Sequence, residues 1–321
     1  MSTNGIERRM HMYTKIPIKD LSREQWLKLR KTGIGGSDAG SICGVNPYSS
    51  PMKVYYDKIS DTVGEQQDNE AIRQGRDLEQ YVAQRFMEET SLKVRRSNFM
   101  YRNLQYPFMI ADIDRLVIGE DAGLECKTAS AYNADKWKDG DIPLHYIMQC
   151  YHYMAVTGKR VWYIAAVILG REFVCRRLEW DDDLIAQMIE TEQHFWENHV
   201  AKCVMPDPDG SKACDEVLHQ YFQTARKSAA IELVGFDEKL DRREELLAQI
   251  ALLQQEQNQI EQEVKLFMKD NESASSKKFK VLWSNVEKTG LDTKRIKLEK
   301  PEIYQDYAKV SVSRRFQIKT A

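Results

Sequence analysis

Asp114, Glu125 and Lys127 stand in the pattern D-x(10)-E-x-K. Side chains alternate faces along a strand, so in "GLECKT" Glu125 and Lys127 project to one side and Leu124 and Cys126 to the other. In "MIADIDRLV", Asp112 and Asp114 share a face, with Ala111, Ile113 and Arg115 opposite. A hairpin through "IGEDAG" would bring Asp112 or Asp114 against Glu125 and Lys127, and periodicity does not choose between the two aspartates. Two carboxylates with water or carbonyl oxygens suit Mg²⁺, a hard ion that keeps several waters. A neighbouring lysine can position or activate a water while the metal stabilises charge on a scissile phosphate. The pattern therefore suggests metal-dependent phosphodiester hydrolysis. Taken alone it also fits a solvated face with a cross-strand salt bridge.

Two helical segments add to this set. In "AIRQGRDLEQYVAQRFMEET", Glu79 shares the apolar stripe of Val82, Ala83 and Phe86. A buried carboxylate there needs a metal or a basic partner such as Arg115 or Lys127. Gln149 lies mid-helix in "YIMQCYHYM", on a stripe with Tyr146, Tyr153 and Val156. It suits a water-orienting amide or an ordinary buried hydrogen-bonder. His145 and His152, on the same helix, read as structural.

The stretch "TGIGGSDAGSICG" (32–44) resembles a phosphate cradle, but it lacks the lysine of a P-loop and follows a helix rather than a strand. Gly33, Gly35, Gly36, Gly40 and Gly44 do not fit a dinucleotide fingerprint. The remaining reading is a loop leading into a helix capped by Ser37 and Asp38, whose free N–H groups suit an anion. Arg30, one turn earlier, could add a bidentate phosphate contact. The bland alternative is a turn whose glycines permit close packing.

Periodicity places these groups. A Ser22-capped helix ends at Gly33; residues 51–60 and 71–90 are helical; and 61–70 form a polar loop. "SLKVRRSNFMYR", "PFMIADIDRLVIG" and "AGLECKTAS" read as three strands. A helix ending at Gly158 follows, then a hairpin around Gly170, then a helix from "DDD". The implied fold class is α/β (α+β), a central mixed sheet flanked by helices, over residues 1–205. Residues 1–20 are expected to be loosely ordered until docked. Residues 206–236 read as a linker. Over 237–270, Leu246, Ile250, Leu253, Gln257, Ile260, Val264 and Phe267 fall at four- and three-residue steps, which suits a coiled coil or an antiparallel helical hairpin. Residues 271–321 combine a small β element with a basic tail.

The 321-residue chain is 42% hydrophobic and 30% charged, with net charge −2, so overall charge gives no sign of a nucleic-acid binder. Basic clusters are local: "LKLRK", "KVRR" and "KVSVSRRFQIK". No apolar run reaches membrane-spanning length, no secretion signal is evident, and a cytoplasmic location is expected. The six cysteines show no metal-clip spacing.

The ordered elements "WLKLRKTGIGGSDAG", "GRDLEQYVAQRF", "MIADIDRLV", "GLECKT" and "YIMQCYHYMAVTG" resemble the YqaJ-type viral recombinase family, lambda-exonuclease-like members of the PD-(D/E)XK nuclease superfamily with a restriction-endonuclease-like fold. The resemblance covers roughly residues 22–170. It implies Glu79, Asp114 and Glu125 as metal ligands, picking Asp114 over Asp112, with Lys127 and Gln149 completing the catalytic set. It also implies Arg30 and Ser37, with Gly35, Gly36 and the aromatic Trp26, as the holder of a DNA 5′-phosphate. A further phosphate-binding Arg of lambda exonuclease has no counterpart in "TASAYNADKWK", and neither Lys136 nor Lys138 is assigned to replace it. The helical segment at 237–270 has no counterpart in that compact enzyme. The implied activity is a Mg²⁺-dependent (Mn²⁺-tolerant) 5′→3′ exonuclease on double-stranded DNA ends. It would be phage- or prophage-encoded, assemble as a homo-oligomeric trimeric ring and work beside a single-strand annealing protein. An endonuclease of restriction or repair type and a non-catalytic DNA-end-binding module are the alternatives.

Overall fold

The computed structural model describes residues 12–60, 70–226, 230–310 and 313–319. It divides into two compact units, Met1–Phe222 and Gln223–Ala321. Nearly all of the loop expected over 61–70, and most of the N-terminal dozen residues, lie outside the described residues.

Within the stretch 1–20, the described part docks as a strand: β1 (Tyr13–Pro17) pairs antiparallel with β3. The elements of the first unit continue as α1 (Arg23–Lys31), α2 (Gly36–Ile42), α3 (Pro51–Ile59), α4 (Glu70–Thr90), β2 (Val94–Arg96), β3 (Phe99–Asn103), β4 (Ile110–Asp112), β5 (Arg115–Val117), β6 (Ala122–Ala129), α5 (Leu144–Thr157), β7 (Val161–Ile168), β8 (Glu172–Glu179), α6 (Asp182–Phe195) and α7 (Lys212–Tyr221). A 3₁₀ segment, Ala131–Gly140, precedes α5. Ser22 and Gln25 close a reciprocal capping box at the start of α1.

The main sheet is mixed and has the order β2-β5-β6-β7-β8. β6 and β7 run parallel, joined through α5, while every other pairing is antiparallel. Helices cover the sheet, as the alternation of strand and helix patterns predicts. On one side α4 lays Val82 and Phe86 against Leu124, Ala165 and Tyr163. Burial of each such large side chain contributes on the order of 2 kcal/mol. A larger cluster, including Ile34, Met154, Trp162 and Ile164, joins α5, α6 and the glycine loop.

The structure corrects two sequence expectations. "SLKVRRSNFMYR" and "PFMIADIDRLVIG" are not single strands. Each breaks in two, and the halves enter different sheets: β2 and β5 join the main sheet, while β3 and β4 form a three-stranded sheet with β1. The second break falls at Ile113–Asp114. The segment 206–236, expected as linker, contains α7, which buries Cys214 and Val217 against Met52.

In the second unit, α8 (Asp237–Met268) is one unbroken helix of 32 residues, so the antiparallel hairpin does not form. Leu246, Ile250, Leu253, Ile260 and Phe267 along its seam are exposed. The hairpin β9 (Ser273–Ser275) and β10 (Lys280–Leu282) follows, then α9 (Thr293–Glu299) and α10 (Pro301–Tyr307).

Candidate active site

Alternation along β6 does place Glu125 and Lys127 together: Lys127 Nζ lies 2.6 Å from Glu125 Oε1. Gln149, projecting from α5, donates from Nε2 to the same oxygen at 2.7 Å and to the Tyr153 hydroxyl at 2.8 Å. Glu125 is 3% exposed, and its other oxygen, Oε2, is buried with no hydrogen-bond partner. The bend at Asp114 swings its carboxylate onto β6, where Oδ2 accepts the Cys126 backbone N–H at 2.8 Å. The partly buried Asp114 carboxylate, at the bend just before β5, thus meets the buried Glu125 of β6.

Burial raises the pKa of Asp114 well above the usual carboxylate range, and repulsion from Glu125 and Glu79 adds to it. Burial also raises that of Glu125, against the opposing pull of Lys127. Burial works against the Lys127 charge as well, but Glu125, Tyr146 and Asp114 outweigh it and raise its pKa, so Lys127 stays an ammonium.

Glu79 is partnered by Arg115, one of the two basic residues its place on the stripe suggested, in an ion pair of Nη1 with Oε1. Arg115, 2% exposed, also donates to the Asp114 carbonyl at 2.7 Å and to Gln80 at 3.1 Å. Asp112, the other aspartate in reach, instead accepts Trp26 Nε1 at 2.8 Å. The Arg23 and Arg30 guanidinium groups each lie 5.1 Å from the centroid of the Trp26 ring.

The glycine stretch departs from expectation at its cap. Gly35, not Ser37, is the N-cap of α2. Its N–H is taken by the Asp38 carboxylate at 2.9 Å, so negative charge already stands at the helix start. Burial alone would raise the Asp38 pKa, but Lys58, whose Nζ is 2.7 Å away, and Arg30 outweigh it and lower it. Ser37 follows in the first turn, and its Oγ accepts from Arg30 Nη2 at 2.8 Å. Gly36 has a packing role: a Cβ there would come within 2.5 Å of the Tyr153 ring and 3.1 Å of Gln149. A side chain would therefore push α2 off α5 and widen the site.

Trp26, Arg30, Gly35, Gly36, Ser37, Asp114, Glu125 and Gln149 line one cavity of about 180 Å³. Lys127 reaches it through Glu125, and Glu79 acts on it by charge alone.

The YqaJ-like viral recombinase domain matches residues 25–160, from within α1 to the residue before β7. YqaJ of Bacillus subtilis (strain 168) is 36% identical over 303 residues, covering 94% of this chain and 95% of that protein. The chain belongs to the YqaJ-like viral recombinase family. Among solved structures it is similar to an alkaline exonuclease, LHK-Exo from Laribacter hongkongensis. The sequences are 20% identical, and the match covers 63% of this chain and all of that one with a TM-score of 0.48. A complex of LHK-Exo with dAMP matches over the same share with a TM-score of 0.49.

Three features of this YqaJ-like chain escape a reading of its sequence. Lys58 comes from α3 to neutralise Asp38, and nothing in the sequence links two residues 20 apart on different helices. Tyr153 is one stripe-mate among several of Gln149; its i+4 spacing is the available signal. His152, expected to be structural, is fully buried, and its partners come from elements the sequence does not connect. Its Nδ1 lies 2.9 Å from Glu192 on α6 and its Nε2 2.9 Å from the Ile110 carbonyl on β4.

Proposed function

We propose that this protein is a divalent-metal-dependent nuclease that removes nucleotides from the 5′ ends of double-stranded DNA, preparing ends for recombination by strand annealing. One observation carries the reading: the paired acids Asp114 and Glu125 open into the same small cavity as Arg30 and Ser37. A site for cutting and a holder for a terminal phosphate then lie side by side.

The residues fit a hard divalent ion. Asp114 and Glu125 are adjacent, both are driven toward neutrality by burial, and Glu125 Oε2 is an orphaned acceptor. Among the described residues no group of three or more His, Cys, Asp or Glu side chains is arranged to hold a metal. Two carboxylates with water completing the shell is the habit of Mg²⁺, with Mn²⁺ as an alternative. Glu79 would join at a second ion only by leaving Arg115. A bound ion would supply Lewis-acid stabilisation of the phosphoryl oxygens.

The chain's own groups divide the remaining work. Lys127, as an ammonium, acts as a cation rather than a base: it orients the attacking water by donating to it and offsets charge on the phosphate. Gln149 fixes the Glu125 carboxylate. Arg30 offers its guanidinium and Ser37 its hydroxyl to the 5′-phosphate, while Trp26 holds Arg30 in place by ring stacking. A ring-shaped homo-oligomer, an annealing-protein partner and a location in the bacterial cytosol accompany this proposal.

The test is a time course on linear duplex DNA carrying one 5′-phosphate, with and without Mg²⁺. Mononucleotide release from the phosphorylated strand, only with metal, is expected. Release from 3′ ends, or cleavage of a covalently closed circle, would replace this reading with another nuclease class. Binding without release would make the protein an end-binding module.

A further inference from the structure

Positive charge is unevenly distributed along this chain. Residues 271–321 hold twelve Lys and Arg against six Asp and Glu, whereas the whole chain holds 47 against 49. The basic stretch opens with the β9–β10 hairpin, whose register is Lys280↔Ser275, Val281↔Ala274 and Leu282↔Ser273. Backbone bonds from Ser276 to Phe279 and from Trp283 to Glu272, each 2.8 Å, extend the ladder at both ends. Ser276 Oγ accepts the amides of Lys278 and Phe279, so Lys277 and Lys278 form the hairpin tip.

Alternation puts Phe279, Val281 and Trp283 on one face of this ribbon. Phe279 is 72% exposed and Trp283 48% exposed. Neither ring stacks on another aromatic, and Lys277, Lys278 and Lys280 have no ion pair, among the described residues. Two rings four residues apart stand roughly 13 Å from one another at about 3.3 Å per residue. Exposed aromatic faces beside unpaired ammonium groups are what an unstacked polyanion requires. A duplex keeps its base faces inside its own stack and offers these rings nothing, whereas a single strand offers both bases and phosphates.

We propose that the hairpin at 272–283 binds single-stranded DNA. Phe279 and Trp283 stack on bases, and Lys277 and Lys278 at the tip meet the phosphates. The proposal rests on the nuclease reading only for the source of the strand, since removal of one strand of a duplex from its 5′ end leaves the other single.

The test uses the full chain in EDTA and a fluorescein-labelled oligothymidylate, read by anisotropy across a salt series. Joint substitution of Lys277→Glu and Lys278→Glu should weaken binding at least tenfold. It should also flatten the log–log salt dependence by about 1.4, near 0.7 for each phosphate no longer neutralised. Trp283→Ala should weaken binding roughly tenfold with the salt slope unchanged. Trp283→Phe should keep most of the affinity, which separates stacking from misfolding. Release of the first nucleotide from saturating linear duplex should be unchanged in all variants. Variants that bind the strand like the wild type while digestion proceeds would overturn the proposal and leave the nuclease reading standing. A Trp283→Ala variant that alters the mass of the assembly but not the affinity would overturn it in favour of a protein-docking face. Strand binding lost in the variants of a protein that digests no duplex would support the proposal and sink the nuclease reading alone.

Discussion

Lys127 Nζ and Gln149 Nε2 converge on one oxygen of Glu125, at 2.6 and 2.7 Å, and leave the other oxygen buried without a partner. One side of this carboxylate is satisfied by the protein and the other is not.

Lys127→Ala removes a cation that burial disfavours but its acidic neighbours retain. We expect single-turnover release from a linear duplex to fall about 10²- to 10³-fold, the range for losing one preorganised electrostatic group. Binding of the duplex in EDTA should change little. Wild-type rates in the variant would remove Lys127 from the mechanism.

Asp114→Asn should make the metal-free protein more stable and also inactive. The Asp114 pKa is raised in the fold, so the folded carboxyl resists ionisation. The penalty is absent below the ordinary value of 3.8, grows as pH rises past it, and is fully present once the folded group ionises. The variant should melt a few degrees higher in EDTA at pH 8, on the scale of roughly 2–4 °C per kcal/mol for a unit this size. Mg²⁺ should raise the melting temperature of the wild type and leave that of the variant unchanged. A variant less stable than wild type in EDTA would mean that ionising Asp114 costs the fold nothing.

Arg30→Ala should weaken the preference for 5′-phosphorylated over 5′-hydroxyl ends by roughly 10- to 100-fold, the equivalent of about 1.5–3 kcal/mol for a charged hydrogen bond. Ser37→Ala should act in the same direction with a smaller effect. Competition between the two kinds of end reads both. A preference that survives Arg30→Ala unaltered would reduce the glycine stretch to a packing turn.

Glu192→Leu should destabilise the first unit by about 3–5 kcal/mol, because it leaves His152 buried without its carboxylate. Burial lowers the His152 pKa, but Glu192 and the Ile110 carbonyl outweigh it and raise it above 6.5. A raised histidine pKa gives stability that is fully present below 6.5 and fades as pH rises through the folded value. The loss on mutation should therefore be larger near pH 6 than near pH 9 in thermal melts. Because His152 also holds the β4 carbonyl of Ile110, Asp114 just beyond should be displaced, so metal-dependent stabilisation should shrink as well. Equal losses at both pH values would show that packing alone is at stake.

Much of the first unit is legible in sequence because it depends on near neighbours. The Ser22–Gln25 capping box, the Val82–Phe86 stripe of α4, the arrest of α5 at Gly158 and the common face of Glu125 and Lys127 follow from helical and strand periods. The position of Asp114 is not legible in this way. Alternation ties Asp114 to Asp112 on an unbroken strand, and the backbone bends between them. Its carboxylate gains the Cys126 amide, 12 residues on, while Asp112 is drawn to Trp26, 86 residues away. The cap at Gly35 is hidden for a similar reason: Asp38 is held down on it by Lys58 from another helix.

The sequence by itself determined which groups exist, most of the helices that carry them and which of their faces are apolar, because those properties are set within a few residues of backbone. Tertiary structure alone decided which partner each of these carboxylates takes and which carboxylate oxygen is left without one. Glu79 is claimed by Arg115, Glu192 by His152 and Asp38 by Lys58. Asp114 and Glu125 remain side by side with one oxygen unsatisfied. That allocation depends on burial and on contacts between distant elements, and burial makes an unpaired charge costly enough to select it.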